Sequence, residues 1–259
     1  MIKLILTDMD GTFLNSQGDF NRELFKQVKQ MMEEKGVVFA PCTGKQSERV
    51  EEIFGEDAAD FWILGDSASR IKRNGTVVYE SLLENTTGLA ILRELEEMQL
   101  GHTLMIKTDL SPEESAAVRR SYKKVVTVAD FGSIEDDFIK ITVRDMQERC
   151  IETAEKLAAF RNRAHIVASE KAWLDITDLN VHKGSTVAHL QELLQVTPEE
   201  TMVFGDGMND IEMMKSGRYS FAVRNAYPII KDTAAFTTGR PNDEDAVSHT
   251  ILQLLALQG

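Results

Sequence analysis

The stretch Ile2-Lys3-Leu4-Ile5-Leu6-Thr7-Asp8-Met9-Asp10-Gly11-Thr12 decides how this chain reads. Its apolar start has the pattern of a short buried strand, and two carboxylates two residues apart stand at the strand's end. Burying charge is costly unless a partner offsets it. In an open α/β sheet, ligands bind at the carboxyl ends of the strands. A hard cation with phosphate chemistry is the economical explanation: one carboxylate as nucleophile and metal ligand, the next as proton-transfer group. An ordinary turn closing a strand also places acidic residues before Gly-Thr. Three segments downstream weigh against that turn.

Pro41-Cys42-Thr43-Gly44-Lys45 follows the apolar run Val37-Val38-Phe39-Ala40. A hydroxyl and closely approaching backbone N–H groups at a strand end suit a phosphate oxygen, although a plain loop before the helix at Gln46–Ile53 has the same appearance. Lys183, in His182-Lys183-Gly184-Ser185, precedes a helical pattern over Ser185–Leu194 with Val187, Ala188, Leu190 and Leu194 on one face. A lysine at the positive end of a helix dipole is mildly unfavourable, which favours a functional reason such as phosphate charge compensation over a solvated surface lysine. Gly205-Asp206-Gly207-Met208-Asn209-Asp210 follows the strand-like Thr201-Met202-Val203-Phe204. Capping of the next helix, Ile211–Lys215, explains Asn209 or Asp210 but not the whole cluster.

Together these four elements resemble the haloacid dehalogenase superfamily of phosphatases, through Asp-x-Asp-Gly-Thr at Asp8–Thr12 and Gly-Asp-Gly-x-Asn-Asp at Gly205–Asp210. The spacing is similar to that of the Cof-like subgroup, whose large α/β cap lies between the second and third motifs. Phe221-Ala222-Val223-Arg224-Asn225-Ala226 and Asn242-Asp243-Glu244-Asp245-Ala246-Val247 also look like that subgroup.

Alternating strands and helices point to an α/β fold with a Rossmann-like, mostly parallel sheet. Strands are expected at Ile2–Thr7, Val37–Ala40 and Phe61–Leu64, a helix at Asn21–Lys35 ending at Gly36, and a hairpin of Arg70–Lys72 with Thr76–Tyr79 around Asn74-Gly75. The middle of the chain reads as a second sheet with its own helices. Helices are expected at Thr87–Gln99, from a capping box at Ser111 and Glu114, and near Gln147–Phe160. Strands are expected at Thr103–Lys107, Val125–Val128, Phe138–Val143, Ala164–Ala168 and Trp173–Ile176. The resemblance implies that residues 1–81 and 183–259 form the catalytic core and 82–182 an inserted α+β cap that selects the substrate.

Composition fits a soluble globular protein: 259 residues, 42% hydrophobic and 27% charged. No apolar run reaches the roughly 20 residues of a membrane span. Met1 leads straight into a strand-like run without signal-peptide architecture, and Cys42 and Cys150 give no disulfide framework, so a cytoplasmic protein is expected. The net charge of −13 argues against a nucleic-acid partner. A divalent cation among the carboxylates reverses the local field, so an anionic substrate is compatible with that charge. A monomer and a homodimer both fit.

The resemblance implies an Mg²⁺-dependent phosphatase acting on a small phosphorylated metabolite such as a sugar phosphate. Asp8 is then the nucleophile that forms an aspartyl-phosphate, and Asp10 the acid and base. Mg²⁺ is held by Asp8, the Asp10 carbonyl and Asp206, with Asp210 at or beside the metal. Thr43, Gly44, Lys45 and Lys183 bind phosphate, and Asn209 contacts phosphate or orients Lys183. Two alternatives stand: a phosphomutase on the same scaffold, and a phosphometabolite-binding protein without turnover. An acid at Asp10 points away from dehalogenases and ion pumps. Two departures from the subgroup are Lys45, where Arg is frequent, and Gly65-Asp66-Ser67-Ala68-Ser69, where Asn-Gly-Ala is frequent. Lysine is a point charge without a bidentate fork. The five histidines lack metal-ligand spacing and read as structural or surface residues.

Overall fold

The computed structural model describes residues 1–98, 103–104, 130–144, 147–169 and 173–258. These divide into two compact units, Met1–Glu80 with His182–Gly259, and Ser81–Val181.

The first unit starts with β1 (Leu4–Thr7), buried along its whole length. Helix α1 (Arg22–Lys35) is bounded as its sequence dictates. Asn21 caps its start by accepting from the Leu24 N–H, and Gly36 ends it in the left-handed conformation at φ 65°. There follow β2 (Val38–Pro41), α2 (Ser47–Phe54), β3 (Trp62–Gly65), β4 (Arg70–Arg73) and β5 (Thr76–Glu80). Asn74 and Gly75 both have positive φ, which is the requirement of a tight hairpin turn between β4 and β5.

The second unit contains α3 (Asn85–Glu97), β6 (Thr103–Leu104), β7 (Ile141–Arg144), α4 (Gln147–Lys156), β8 (Ala164–Ser169) and β9 (Trp173–Asp178). Its antiparallel sheet has the order β6-β7-β9-β8. Ile141 and Val143 pair with Ile176 and Leu174, and all four are buried in a core shared with Ile91, Leu92 and Leu157. Gly88 allows the Phe138 ring to lie against α3, since a Cβ there would meet the ring at 2.3 Å. Phe138 makes an isolated bridge to Leu83, so the strand expected from Phe138 starts three residues later, at Ile141. The helix expected through Phe160 tightens into a 3-10 turn at Leu157–Phe160. The capping box at Ser111, the strand at Val125–Val128 and the far end of the strand from Thr103 lie outside the described residues.

The chain returns to the first unit with α5 (Lys183–Leu194), β10 (Thr201–Gly205), α6 (Ile211–Met214), β11 (Tyr219–Ala222), α7 (Pro228–Thr233), β12 (Phe236–Thr237) and α8 (Ala246–Ala256). On α5, Val187 and Leu190 are buried as expected, but Ala188 is exposed. The buried stripe runs instead through Thr186 and Gln191, one turn from Lys183 and Val187 on the same face. Gln191 is tolerated there because its amide donates to Thr201 Oγ1 and Ser216 O, at 2.9 and 2.8 Å.

The five-stranded parallel sheet has the order β12-β11-β10-β1-β2. The order reverses at β1, which pairs with β2 on one side and β10 on the other. Ligands bind in such sheets at the crevice beyond the strand ends where the order reverses. The core of this unit holds six phenylalanine rings, Phe13, Phe20, Phe25, Phe39, Phe54 and Phe61, with neighbouring centroids 5.1–6.1 Å apart. No helix among the described residues is long and apolar enough to cross a membrane.

Candidate active site

Asp8 leaves β1 beside β10, its N–H donating to Phe204 O at 2.9 Å. The chain then turns sharply through Gly11, which sits at φ 78°. A Cβ at Gly11 would lie 2.4 Å from Asp206 Oδ2, so only glycine lets the loop approach the β10 carboxylate. The buried Thr12 hydroxyl donates to Asp206 Oδ1 and fixes that side chain from the loop side. Asn225 holds the loop from outside, donating to Gly11 O at 2.7 Å, and Asn242 donates to Leu14 O at 2.8 Å. Asn242 N–H in turn donates to Asn225 Oδ1 at 2.9 Å. The sequence motifs did not single out Thr12, Asn225 or Asn242 for these tasks. The available signal for Asn225 and Asn242 was their place in Phe221–Ala226 and Asn242–Val247, the segments that look like the subgroup.

Lys183 opens α5. The preceding His182 is the N-cap: its Nδ1 accepts from Ser185 N–H, and Ser185 Oγ accepts from His182 N–H, each at 3.1 Å. This satisfies two helix-end donors reciprocally. Gly184 lets α5 lie against α6, since a Cβ there would be 2.7 Å from Glu212 Cβ. The buried Lys183 ammonium then reaches Asp8 Oδ1 at 2.6 Å and Asp210 Oδ1 at 2.5 Å. The other Asp210 oxygen accepts from Asp206 N–H at 2.9 Å and Gly207 N–H at 3.0 Å. Asp210 therefore orients Lys183 and shapes the loop after β10. Asn209 lies half-buried in the 3-10 turn Met208–Asp210.

Asp8, Asp206 and Asp210 are all buried and offer oxygens within 4.8 Å of one another. Three carboxylates facing one buried ammonium leave anionic charge in a low-dielectric site, which is costly without a further cation. Hard oxygens so grouped fit a cation such as Mg²⁺. Burial pushes the Asp8 carboxyl up to about 7; Lys183 opposes the shift, and Asp210 and Asp10 add to it. Burial works against the Lys183 ammonium too, but Asp210 and Asp8 outweigh it and hold its pKa above the usual lysine value. Cys42, also buried, has its thiol pushed up to about 12 by burial, which disfavours the thiolate that a nucleophile needs.

Asp10 and Lys45 stand apart from the buried group. The exposed Asp10 carboxylate meets Lys45 Nζ at 2.7 Å. Thr43 is buried; its N–H donates to Leu64 O at 2.9 Å, and its Oγ1 accepts from Lys45 N–H at 3.2 Å. Gly44 lies between them, half-buried. The structure thus brings Asp8, Asp206, Asp210 and Lys183 into direct proximity and pairs Asp10 with Lys45.

The chain belongs to the haloacid dehalogenase-like hydrolases, whose family model matches residues 5–251. This bears out the resemblance drawn from the motifs. Two bacterial relatives are each named 5-amino-6-(5-phospho-D-ribitylamino)uracil phosphatase. YbjI of Escherichia coli is 28% identical over 252 residues, covering 94% of this chain and 93% of its own. YcsE of Bacillus subtilis is 28% identical over 258 residues, covering 96% and 94%. The solved structure of SMU.1108c from Streptococcus mutans shares the fold, with a TM-score of 0.91, 24% identity and coverage of 99% of this chain and 100% of that one. Within its family the chain is a phosphatase, a phosphoric monoester hydrolase.

Proposed function

We propose that this protein hydrolyses a small phosphorylated metabolite in two steps through an aspartyl-phosphate, with Mg²⁺ as cofactor. The observation that carries the reading is Asp8, buried at the β1 end with Lys183 Nζ 2.6 Å from it, two residues before the exposed Asp10.

In the first step an Asp8 oxygen attacks phosphorus in line, the bond to the ester oxygen breaks, and Asp10 protonates the leaving oxygen. In the second, Asp10 takes a proton from water, which attacks phosphorus and releases phosphate and free Asp8. Lys183, Thr43, Gly44 and Lys45 hold the non-bridging oxygens and offset charge that builds on them, with Asn209 beside them. Asp8, Asp206, the Asp10 carbonyl and Asp210, directly or through water, would hold Mg²⁺. When bound, the ion neutralises carboxylate and phosphate charge and draws the anionic substrate to an acidic protein.

Residues 1–81 and 183–259 supply this chemistry, and 82–182 select the substrate. The names of the two bacterial relatives make the phosphorylated ribitylaminouracil the first compound to try. A cytoplasmic enzyme, monomeric or dimeric, fits the reading.

The test is phosphate release from a panel of phosphorylated sugars, polyols and cofactors that includes this compound, with Mg²⁺ and with EDTA. Metal-dependent release that Asp8→Asn abolishes is the expected result. Isomerised product without phosphate would indicate a mutase. Binding without any conversion would indicate a phosphometabolite-binding protein.

A further inference from the structure

Asp66, Ser67 and Ala68 have φ of 57, 58 and 66° in succession, with no glycine among them. Left-handed conformations in side-chain-bearing residues persist only where the surroundings over-determine them, and they concentrate at functional sites. Here both ends of the turn are tied to segments of the candidate site. At its start the Asp66 N–H donates to Lys45 O at 2.7 Å. At its end Ala68 O accepts from Thr186 Oγ1 at 2.6 Å, one turn along α5 from Lys183.

The buried Asp66 carboxylate makes a second grip. It accepts from Ser47 Oγ at 2.7 Å and from Ser47 N–H at 3.3 Å. Ser47 begins α2, whose own N-cap, Gln46, makes no side-chain cap. A carboxylate supplied from another segment satisfies that open donor and suits the positive end of the helix. Asp66 therefore holds the chain on both sides of Gln46, through its backbone on Lys45 and its side chain on Ser47. Gly65 permits the approach, because a Cβ there would lie 2.9 Å from Ser47 N.

We propose that Asp66 is a positioning residue that acts through Lys45. It fixes the Lys45 backbone so that the ammonium, 2.7 Å from Asp10 Oδ2, is aimed at the exposed end of the site. A lysine is a point charge on a long, rotatable stem, so its placement depends on a fixed backbone more than that of a forked arginine does. The turn has Asp-Ser-Ala where Asn-Gly-Ala is frequent in the subgroup, in a chain that also has Lys where Arg is frequent. The kinetic consequence rests on the phosphatase reading above; the placement of Lys45 does not.

The test compares Asp66→Gly, which keeps the positive φ while removing the carboxylate, with Asp66→Asn, which keeps an acceptor in the same conformation. With p-nitrophenyl phosphate and Mg²⁺, Asp66→Gly is expected to lose about tenfold in kcat/KM and Asp66→Asn less than threefold. In a Lys45→Ala background the Asp66→Gly loss is expected to shrink below twofold. In parallel, reductive methylation read by mass spectrometry, with exposed Lys26 as reference, is expected to label Lys45 at least threefold more in Asp66→Gly.

If wild type lacks phosphatase activity but the labelling shifts, the phosphatase reading fails and the positioning role stands. If the Asp66→Gly loss is equally large with and without Lys45, or Lys45 labelling does not change, the positioning role is overturned. Should Asp66→Gly not fold, Thr186→Val, which releases the other end of the turn, takes its place with the same two readouts.

Discussion

Asp210 and Lys183 meet at 2.5 Å, and both are buried. With one oxygen on Lys183 and the other on the N–H groups of Asp206 and Gly207, Asp210 joins the cation to the loop that carries a candidate metal ligand. Removing Asp210 leaves the buried Asp206 and Gly207 N–H groups without their acceptor, at a cost of about 1–3 kcal/mol each, and leaves Lys183 with Asp8 alone. Asp210→Ala is therefore expected to lose stability on that scale and at least a hundredfold in turnover. Urea unfolding and steady-state kinetics on the same preparation check both; a variant within about 1 kcal/mol of wild type contradicts the account.

Asp8→Asn is expected to lose more than a thousandfold in turnover and yet remain folded. Burial raises the folded-state Asp8 pKa to about 7, above its unfolded value of roughly 3.9. Between those values the folded protein binds more protons than the unfolded one. The Asp8 contribution to stability therefore declines as pH rises from about 4 to about 7. In EDTA, wild type is expected to lose stability relative to Asp8→Asn across that window. Denaturant melts of both proteins at pH 5 and pH 8 measure it, and a gap that is the same at both pH values refutes the assignment.

Gly11→Ala introduces a Cβ 2.4 Å from Asp206 Oδ2 at a φ of 78°. The expected cost is about 1–3 kcal/mol of strain, with metal-dependent activity falling at least a hundredfold because the displaced carboxylate is a candidate ligand. Gly18→Ala is the control, since its φ is also positive but nothing lies within 4 Å of the added Cβ. It is expected to lose stability alone. Equal activities in the two variants would count against the close approach as the cause.

Mg²⁺ binds only the folded site in this reading, so it should stabilise the protein by mass action, about 2.7 kcal/mol at a hundred times its Kd. Asp206→Asn, which keeps an acceptor for the buried Thr12 hydroxyl, is expected to lose most of that increment while its melting temperature in EDTA stays near that of wild type. Calorimetric melts with and without Mg²⁺ decide the point, and an undiminished increment in the variant removes Asp206 from the ligand set.

The chemistry-bearing groups were legible because they stand where a strand pattern stops: Asp8 after Leu4–Thr7 and Asp206 after Thr201–Gly205. Lys183 was legible because its charge is wrong for a helix start. The groups that hold them were less so. Thr12 and Asp206, Asn225 and Gly11, and Asn242 and Leu14 are separated by 194, 214 and 228 residues. No local pattern encodes a hydrogen bond across such intervals. Ala188 misled because apolar character places a residue on a helix face only when its angle agrees, and it lies a full residue step round from Val187. The positive φ of Ser67 and Ala68 was also hidden, since neither residue type announces it.

The sheet order has a consequence for synthesis. β1 is an interior strand of the parallel sheet, yet its partner β10 lies about 200 residues later, with the whole second unit between them. At roughly 5–20 residues per second on the ribosome, the nascent Leu4-Ile5-Leu6 strand waits on the order of 10–40 s for that neighbour. During that interval the strand can complete neither its ladder nor its site, while the inserted unit, with a core of its own, is free to form first. Catalytic competence thus arrives only with the last third of the chain, and premature release at any earlier codon yields an exposed apolar edge rather than a weakly active enzyme.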